Sequence, residues 1–335
     1  MTKEAQDSVA IPEQIQLAIR LESIFMPYAT RQRRTFLGIS GDSSRFAHYT
    51  SAEAAVRIIN SKRIWLRNTT CMSDYREVQH GFEILSNFFR DEAKRKVFIE
   101  ALDERVPGAA LEALKLFDQW WSDIQVSTYI ASTSEHDDSE DLHGRLSMWR
   151  AFGGSAARVA MVFKVPGISG GAAALNLMFS PVAYLTEAQA HDELHTVIEN
   201  IRTNGEYLRS LDRSVVVGIV FNTLVAAVAC LKHEGFREER EWRVIYAPKR
   251  SPSALMESST EVVEGVPQIV YKAPLDATVS DALSDLELAR MFYRLIIGPS
   301  PYPWVMYEAF VAALGQAGVA NAGSRVFVSN IPIRG

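Results

Sequence analysis

A nearly continuous apolar segment from Ser214 to Leu231 constrains the fold more than any other feature of this 335-residue chain. Its length is close to the minimum of roughly 18 residues that a membrane-spanning helix needs. Asn222 and Thr223 lie at its middle, and charges of both signs flank it, so it carries no orientation bias. We therefore expect a helix buried in a protein core and no membrane partner.

The composition is that of a globular chain with no overall basic field. Hydrophobic residues make up 47% and charged residues 22%, and the formal net charge is −5. This charge excludes a global attraction for nucleic acid, although it leaves a local basic groove open. Cys71 and Cys230 show no metal-ligand spacing, and the first residues do not begin a signal peptide. The sequence therefore predicts a cytoplasmic protein.

Residues 46–66 predict a strand, a capped helix and a second strand. The first strand is Phe46–Tyr49, and Thr50 stands where an N-cap belongs, with Glu53 three residues later. The helix ends near Asn60, and Ile64–Leu66 reads as the second strand.

This arrangement places His48 at a strand end, beside the exposed N–H groups at a helix start. Such a place suits an anionic or dinucleotide ligand, so Tyr49 and Thr50 are included with His48 as candidate cofactor-binding residues. A histidine whose hydrogen bonds serve the fold is the alternative interpretation.

The rest of the pattern predicts an α+β fold with a single mixed or antiparallel β core surrounded by helices. Residues 1–44 read as a tail, a helix and a linker, and residues 45–335 as one domain. A helical insertion is expected at about 75–123, broken at Pro107-Gly108, with strand character returning over 124–131.

An acidic run with two histidines occupies residues 134–143. A metal site needs ligands that converge from a rigid frame, whereas neighbouring side chains in a loop point apart. We therefore expect a mobile acidic loop or lid and no metal. A metal-dependent nuclease using Asp137, Asp138 and Glu140 is the weaker alternative.

A serine-capped turn at 147–154 carries Trp149 and Arg150 before a Gly-Gly break. Arg150 could hold a phosphate through its planar guanidinium or form an ion pair with the acidic run. Trp149 fits either a packing role or a stacking role.

A charged stretch from Arg237 leads into a strand that continues through Tyr246. Strand alternation puts Glu239, Glu241 and Arg243 on one face. Two glutamates beside an arginine could hold sugar hydroxyls and stabilise positive charge, and the same pattern is typical of a solvent-facing edge strand.

Four stretches together resemble a bacterial family, domain-of-unknown-function family 2971, over about residues 46–333. They are His48-Tyr49-Thr50 with Ile64-Trp65-Leu66; Met148 to Gly153; Phe236 to Arg243; and Ile296-Ile297-Gly298-Pro299 with Ser329-Asn330-Ile331-Pro332. This resemblance implies no activity.

The opening strand, helix and strand are also similar to the start of ADP-ribosyltransferase-like folds, which implies split sheets around an NAD site. By that resemblance His48 holds the NAD ribose, Glu241 contacts the 2′-OH of the nicotinamide ribose, and Glu239 is an accessory acid. Arg150 or Arg243 would hold the pyrophosphate. Three aromatic residues are candidates for stacking on nicotinamide: Trp149, Tyr129 and Tyr184.

The resemblance implies NAD-dependent ADP-ribosyl transfer or NAD glycohydrolysis without a metal, in a toxin or a phage-defence effector. The acceptor, whether a protein, a nucleic acid or water, does not follow from the sequence. The alternative is a non-enzymatic module that binds a nucleotide or a protein on a related scaffold.

Overall fold

The structure is a computed structural model, and it describes residues 13–36, 44–72, 77–151, 157–166, 169–263 and 265–332. The α-helices are α1 Glu13–Phe25, α2 Pro27–Phe36, α3 Ala52–Ser61, α4 Glu77–Arg90, α5 Glu92–Asp103, α6 Ala109–Val126, α7 Leu146–Ala151, α8 Gly170–Ala174, α9 Glu187–Thr203, α10 Gly205–Arg209, α11 Arg213–Cys230, α12 Leu288–Met291 and α13 Pro303–Gln316. The strands are β1 Arg45–Ser51, β2 Arg63–Asn68, β3 Tyr129–His136, β4 Arg158–Lys164, β5 Met178–Pro181, β6 Ala183–Tyr184, β7 Leu231–Lys232, β8 Glu241–Tyr246, β9 Glu257–Val263, β10 Val266–Pro274, β11 Phe292–Ile297 and β12 Val326–Val328.

Ten of these strands form one mixed sheet, and helices surround it, so the fold is of the α+β class as the sequence predicts. The sheet runs β12-β11-β4-β1-β3-β2-β10-β9, and β8 pairs with β3 and β5. The β11–β12 pair is parallel, and the other pairs of this sheet are antiparallel.

The sheet forks at β3. Along one edge of β3, β1 pairs with residues 134–136 and β2 pairs with residues 129–130. The opposite edge pairs continuously with β8 over residues 129–134. Because β1 and β2 use different ends of one strand edge, they diverge between these contacts. Helix α3 connects β1 to β2 and contacts both strands.

The apolar segment forms α11, which lies in a core of helices. Its buried face packs with α4 and α6, and buried side chains of α1 join the same cluster. By length and composition α11 could cross a membrane, but 56% of its apolar window is buried inside the protein. A core helix is therefore what the structure shows, whereas the predicted cytoplasmic location and the boundary at residue 45 stay predictions.

Several local predictions need correction. Ser51, not Thr50, is the N-cap of α3, and its hydroxyl accepts a hydrogen bond from the backbone N–H of Ala54. Glu53 is paired with Arg57 one turn later instead of reaching back to the cap. The predicted return to strand at 124–131 is wrong at its start, because α6 continues to Val126 and β3 begins at Tyr129.

Candidate functional site

A cavity of about 360 Å³ lies at the fork of the sheet. Its walls come from β1, α3, β2, β3 and β8, together with Lys232 from β7 and Arg158 from the start of β4. This volume falls in the range of roughly 300–1,000 Å³ that is usual for ligand pockets. The described side chains that line it include five cations and three carboxylates, so the cavity carries a surplus of positive charge.

One side of the cavity is a cluster of four charged residues, Lys232, Glu239, Glu241 and Arg243, which we call the carboxylate wall. The Arg243 guanidinium donates to both Glu241 oxygens, from Nε to Oε1 at 2.8 Å and from Nη2 to Oε2 at 3.0 Å. The Lys232 ammonium donates to Glu239 Oε2 at 2.7 Å and to Glu241 Oε2 at 3.4 Å. The two negative and two positive charges of this wall therefore balance one another.

Burial makes this compensation strong. Glu241 is 7% exposed, Arg243 2% and Lys232 6%. Burial alone would raise the pKa of Glu241, but the adjacent Arg243 and Lys232 charges outweigh it and lower that pKa to about 2. Glu241 is therefore ionised at neutral pH.

The backbone explains how Glu239 and Glu241 come together, and it corrects the prediction of one continuous strand. A 3₁₀ helix spans Glu234–Glu239, and Arg240 ends it in the left-handed conformation at φ 46°. The strand begins only at Glu241. Because β8 pairs with both β3 and β5, it is also not a solvent-facing edge strand. Trp242 points to the opposite face, where its ring packs against Phe46 and Phe179.

Arg145 fixes the segment that carries Glu239. Its Nη1 donates to the carbonyl oxygens of Glu238 and Glu239, both at 3.0 Å, and its Nε donates to Glu140 Oε1 at 2.7 Å. These bonds tie the end of the 3₁₀ helix to the acidic run. Arg145 does not appear among the residues predicted for the site.

The acidic run is held in place by arginines, so the structure gives no support to a mobile loop or lid there. Arg45 forms ion pairs with Asp138 and Asp141, and Arg294 also pairs with Asp141. Arg240 forms ion pairs with Glu135 and Asp137. The carboxylates serve these ion pairs. Among the described residues, no group of three or more potential ligands could hold a metal ion.

His48 lines the cavity from β1, just past the point where β1 leaves β3. Its Nδ1 lies 2.8 Å from the carbonyl oxygen of Ser132, in the stretch of β3 that β1 no longer pairs with. Burial lowers the pKa of His48, so the ring is neutral at pH 7 and Nδ1 carries the proton donated to Ser132. This leaves Nε2 as an acceptor.

Of the eight predicted site residues, six line this one cavity: His48, Tyr49, Thr50, Glu239, Glu241 and Arg243. Tyr49 has a structural partner as well, since its hydroxyl accepts from the backbone N–H of Arg145 at 2.8 Å. The guanidinium of Arg243 is committed to Glu241, which argues against its predicted pyrophosphate role.

Trp149 and Arg150 are not among the described residues lining the cavity, so their cofactor-binding role stays a prediction that this cavity does not support. Trp149 is buried, its Nε1 donates to the carbonyl oxygen of His143 at 2.7 Å, and its ring packs edge-on against Tyr49. Arg150 is exposed on α7. The other two stacking candidates, Tyr129 and Tyr184, are likewise absent from the described lining.

The side of the cavity formed by α3, β2 and the start of β4 contains side chains that the sequence interpretation missed. We call Arg57, Trp65, Arg67 and Arg158 the donor wall, because every polar group on these side chains is a hydrogen-bond donor. Trp65 and Arg67 are two residues apart and therefore lie on the same face of β2, which the sequence pattern could have indicated. Lys232 was also missed, since it directly follows the apolar helix and reads as its charged flank.

The fold and the cavity define an α+β protein with a charged pocket at a forked sheet. Residues 148–244 match the family model described as "Protein of unknown function (DUF2971)". That segment contains the whole carboxylate wall but not His48, and it supports the DUF2971 resemblance found in the sequence. No curated protein and no solved structure matches the chain.

Proposed function

We propose that this protein transfers ADP-ribose from NAD to an acceptor, or hydrolyses NAD, in the cavity at the fork. The observation that carries the proposal is that His48 and Glu241, distant in sequence, line one cavity with a surplus of positive charge. A dinucleotide offers what this cavity can bind, namely anionic phosphates and ribose hydroxyls. In the same proposal the acceptor is a protein, a nucleic acid or water, and the protein acts as a toxin or a phage-defence effector.

In the proposed reaction the bond between ribose C1′ and the nicotinamide nitrogen breaks, and its electron pair stays on that nitrogen. A sugar cation develops, and an acceptor oxygen or nitrogen then bonds to C1′ while the acceptor's proton goes to Glu239 or to water. The Glu241 carboxylate stabilises the developing positive charge and accepts the 2′-OH. Each carboxylate oxygen has a second lone pair, so the bonds from Arg243 do not prevent this.

In the proposed reaction His48 contributes the acceptor nitrogen Nε2. With Nδ1 bound to the Ser132 carbonyl, the neutral ring can accept a ribose hydroxyl at Nε2. The bond to Ser132 fixes the orientation of the ring, and such pre-positioning is a large part of how enzymes lower a barrier.

The test is release of nicotinamide from NAD by the purified protein and by Glu241→Gln. Glutamine keeps the size of the side chain and one acceptor but removes the charge. We expect a loss of about 10²–10³-fold in rate, the scale of one electrostatic contact in a transition state. The matched control is Glu238→Gln, an exposed neighbour in the same 3₁₀ helix. Equal rates for folded Glu241→Gln and wild type would contradict the proposal.

A second candidate function is a nucleotide-binding module without turnover. It is favoured by the ion pairs of Glu241, because both of its oxygens are already held by Arg243 and its charge is balanced. Calorimetry separates the two candidates: NAD that binds without release of nicotinamide supports the module.

A further inference from the structure

Two buried donors on the donor wall lack a hydrogen-bond partner within the described part of the chain. They are the indole Nε1 of Trp65 and the Nε of Arg158, and both side chains line the cavity. Buried donors are nearly always paired in folded proteins, so two unpaired donors around one cavity require an explanation. A ligand that supplies only acceptor atoms would satisfy both.

The surroundings of Trp65 indicate that it acts through its N–H edge. The Arg57 guanidinium lies over the ring at 5.5 Å from its centre, and the Lys272 ammonium lies at 4.9 Å. Cations already occupy positions over the ring, so it is a poor platform for stacking a base. They also raise the local potential, which favours an anionic acceptor next to the N–H.

Arg158 approaches the cavity from another branch of the sheet. It is the first residue of β4 and pairs in register with Ser51, the cap of α3. Trp65 comes from β2, at the other end of α3. Because the two donors approach from both ends of α3, one extended group with several acceptor oxygens could reach both.

We propose that Trp65 and Arg158 bind the phosphate groups of the ligand and make the site specific for a nucleotide over its nucleoside. Ionised phosphate oxygens accept hydrogen bonds and donate none, which matches a surface that only donates. The inference rests on the proposed function in placing the ligand in this cavity, but it does not require turnover.

Calorimetry with ADP-ribose and adenosine, and with inorganic pyrophosphate alone, tests this inference. We expect wild type to bind ADP-ribose at least about tenfold more tightly than adenosine, since bonds to a charged group are worth roughly that factor or more. Trp65→Phe, which keeps a ring but removes the N–H, and Arg158→Gln should each reduce that preference several-fold. Arg209→Gln is the control, because Arg209 is exposed at the end of α10 and outside the described lining of the cavity, and it should leave the preference unchanged.

Equal binding of ADP-ribose and adenosine by wild type, or an equal loss for both ligands in the variants, would overturn the inference. Thermal melting of each variant confirms that it is folded. Failure here is distinct from failure of the proposed function: NAD can be turned over without phosphate preference, and phosphate preference can exist without release of nicotinamide.

Discussion

The carboxylate wall and the donor wall border the same cavity, but they differ in how their polar groups are satisfied. In the carboxylate wall, Glu241 is held by Arg243 and Lys232, and Lys232 also holds Glu239. In the donor wall, Trp65 Nε1 and Arg158 Nε are buried without a partner among the described residues. The ion pairs of the first wall therefore hold the folded chain together, whereas in the second wall we propose that a ligand supplies the missing partners of Trp65 and Arg158. Mutations in the two walls should separate stability from binding.

The largest expected effect is that of Glu241→Ala on stability. This change leaves Arg243 and Lys232 buried without their shared partner, and breaking a buried pair in this way costs about 3–5 kcal/mol. Unfolding in urea measures the loss, with the exposed Glu238→Ala as the control. A loss below about 1 kcal/mol would show that water reaches this wall and that the contrast between the walls is weaker than stated.

The second prediction concerns acid. Arg243 and Lys232 lower the pKa of Glu241 from 4.5 to about 2 in the folded chain. Between these values the unfolded chain takes up a proton that the folded chain does not, so stability is present above pH 4.5 and is lost as the pH falls toward 2. The loss is about 3 kcal/mol in this window.

Urea unfolding of wild type and Glu241→Gln at a series of pH values isolates this contribution. Other groups also titrate there, such as Asp137 with a pKa of about 2, and their effect cancels in the difference. The advantage of wild type should shrink as the pH falls from 5 to 2. A constant difference would mean that Glu241 has the same pKa in both states.

The cavity and its two walls also show which features the sequence could predict and which it could not. The order strand, helix and strand over residues 45–68 is encoded locally, by apolar residues and a cap, and only the capping residue was misplaced, by one position. His48 and Glu241 were chosen through a resemblance, and the structure places both at one cavity.

The fork could not be predicted from the local sequence pattern, because it depends on β1 and β2 sharing one edge of β3, a strand far along the chain. The ion pairs of Lys232 were equally hidden, because a lysine after an apolar helix gives no sign that it turns inward. Arg150 stands in a conspicuous motif, yet α7 leaves it in solvent, whereas Arg158 lines the cavity. Exposure of single side chains is decided by packing that a linear pattern does not contain.

A smaller effect is expected at Arg145, which joins the acidic run to the carboxylate wall. Arg145→Gln removes the bonds to the Glu238 and Glu239 carbonyls and the ion pair to Glu140, with an expected loss of about 2 kcal/mol in unfolding free energy. Arg145→Lys is a second variant, which keeps the charge but loses the planar fork that makes these bonds. If Arg145 positions Glu239, both variants should also slow nicotinamide release, and an unchanged rate in a folded variant would show that it does not.

The smallest effect on stability is expected for Arg150→Gln and Arg158→Gln. A comparison of these two variants distinguishes the roles of the two arginines. Neither side chain forms an ion pair in the described structure, so each change should alter the unfolding free energy by no more than about 0.5 kcal/mol. Arg158→Gln should nevertheless weaken ADP-ribose binding, because it removes the buried Nε donor that we propose binds the ligand phosphates. Arg150→Gln should change neither quantity, since that side chain is exposed on α7 and outside the described lining of the cavity. Weaker binding in Arg150→Gln alone would restore the pyrophosphate role first predicted for it and remove Arg158 from the donor wall.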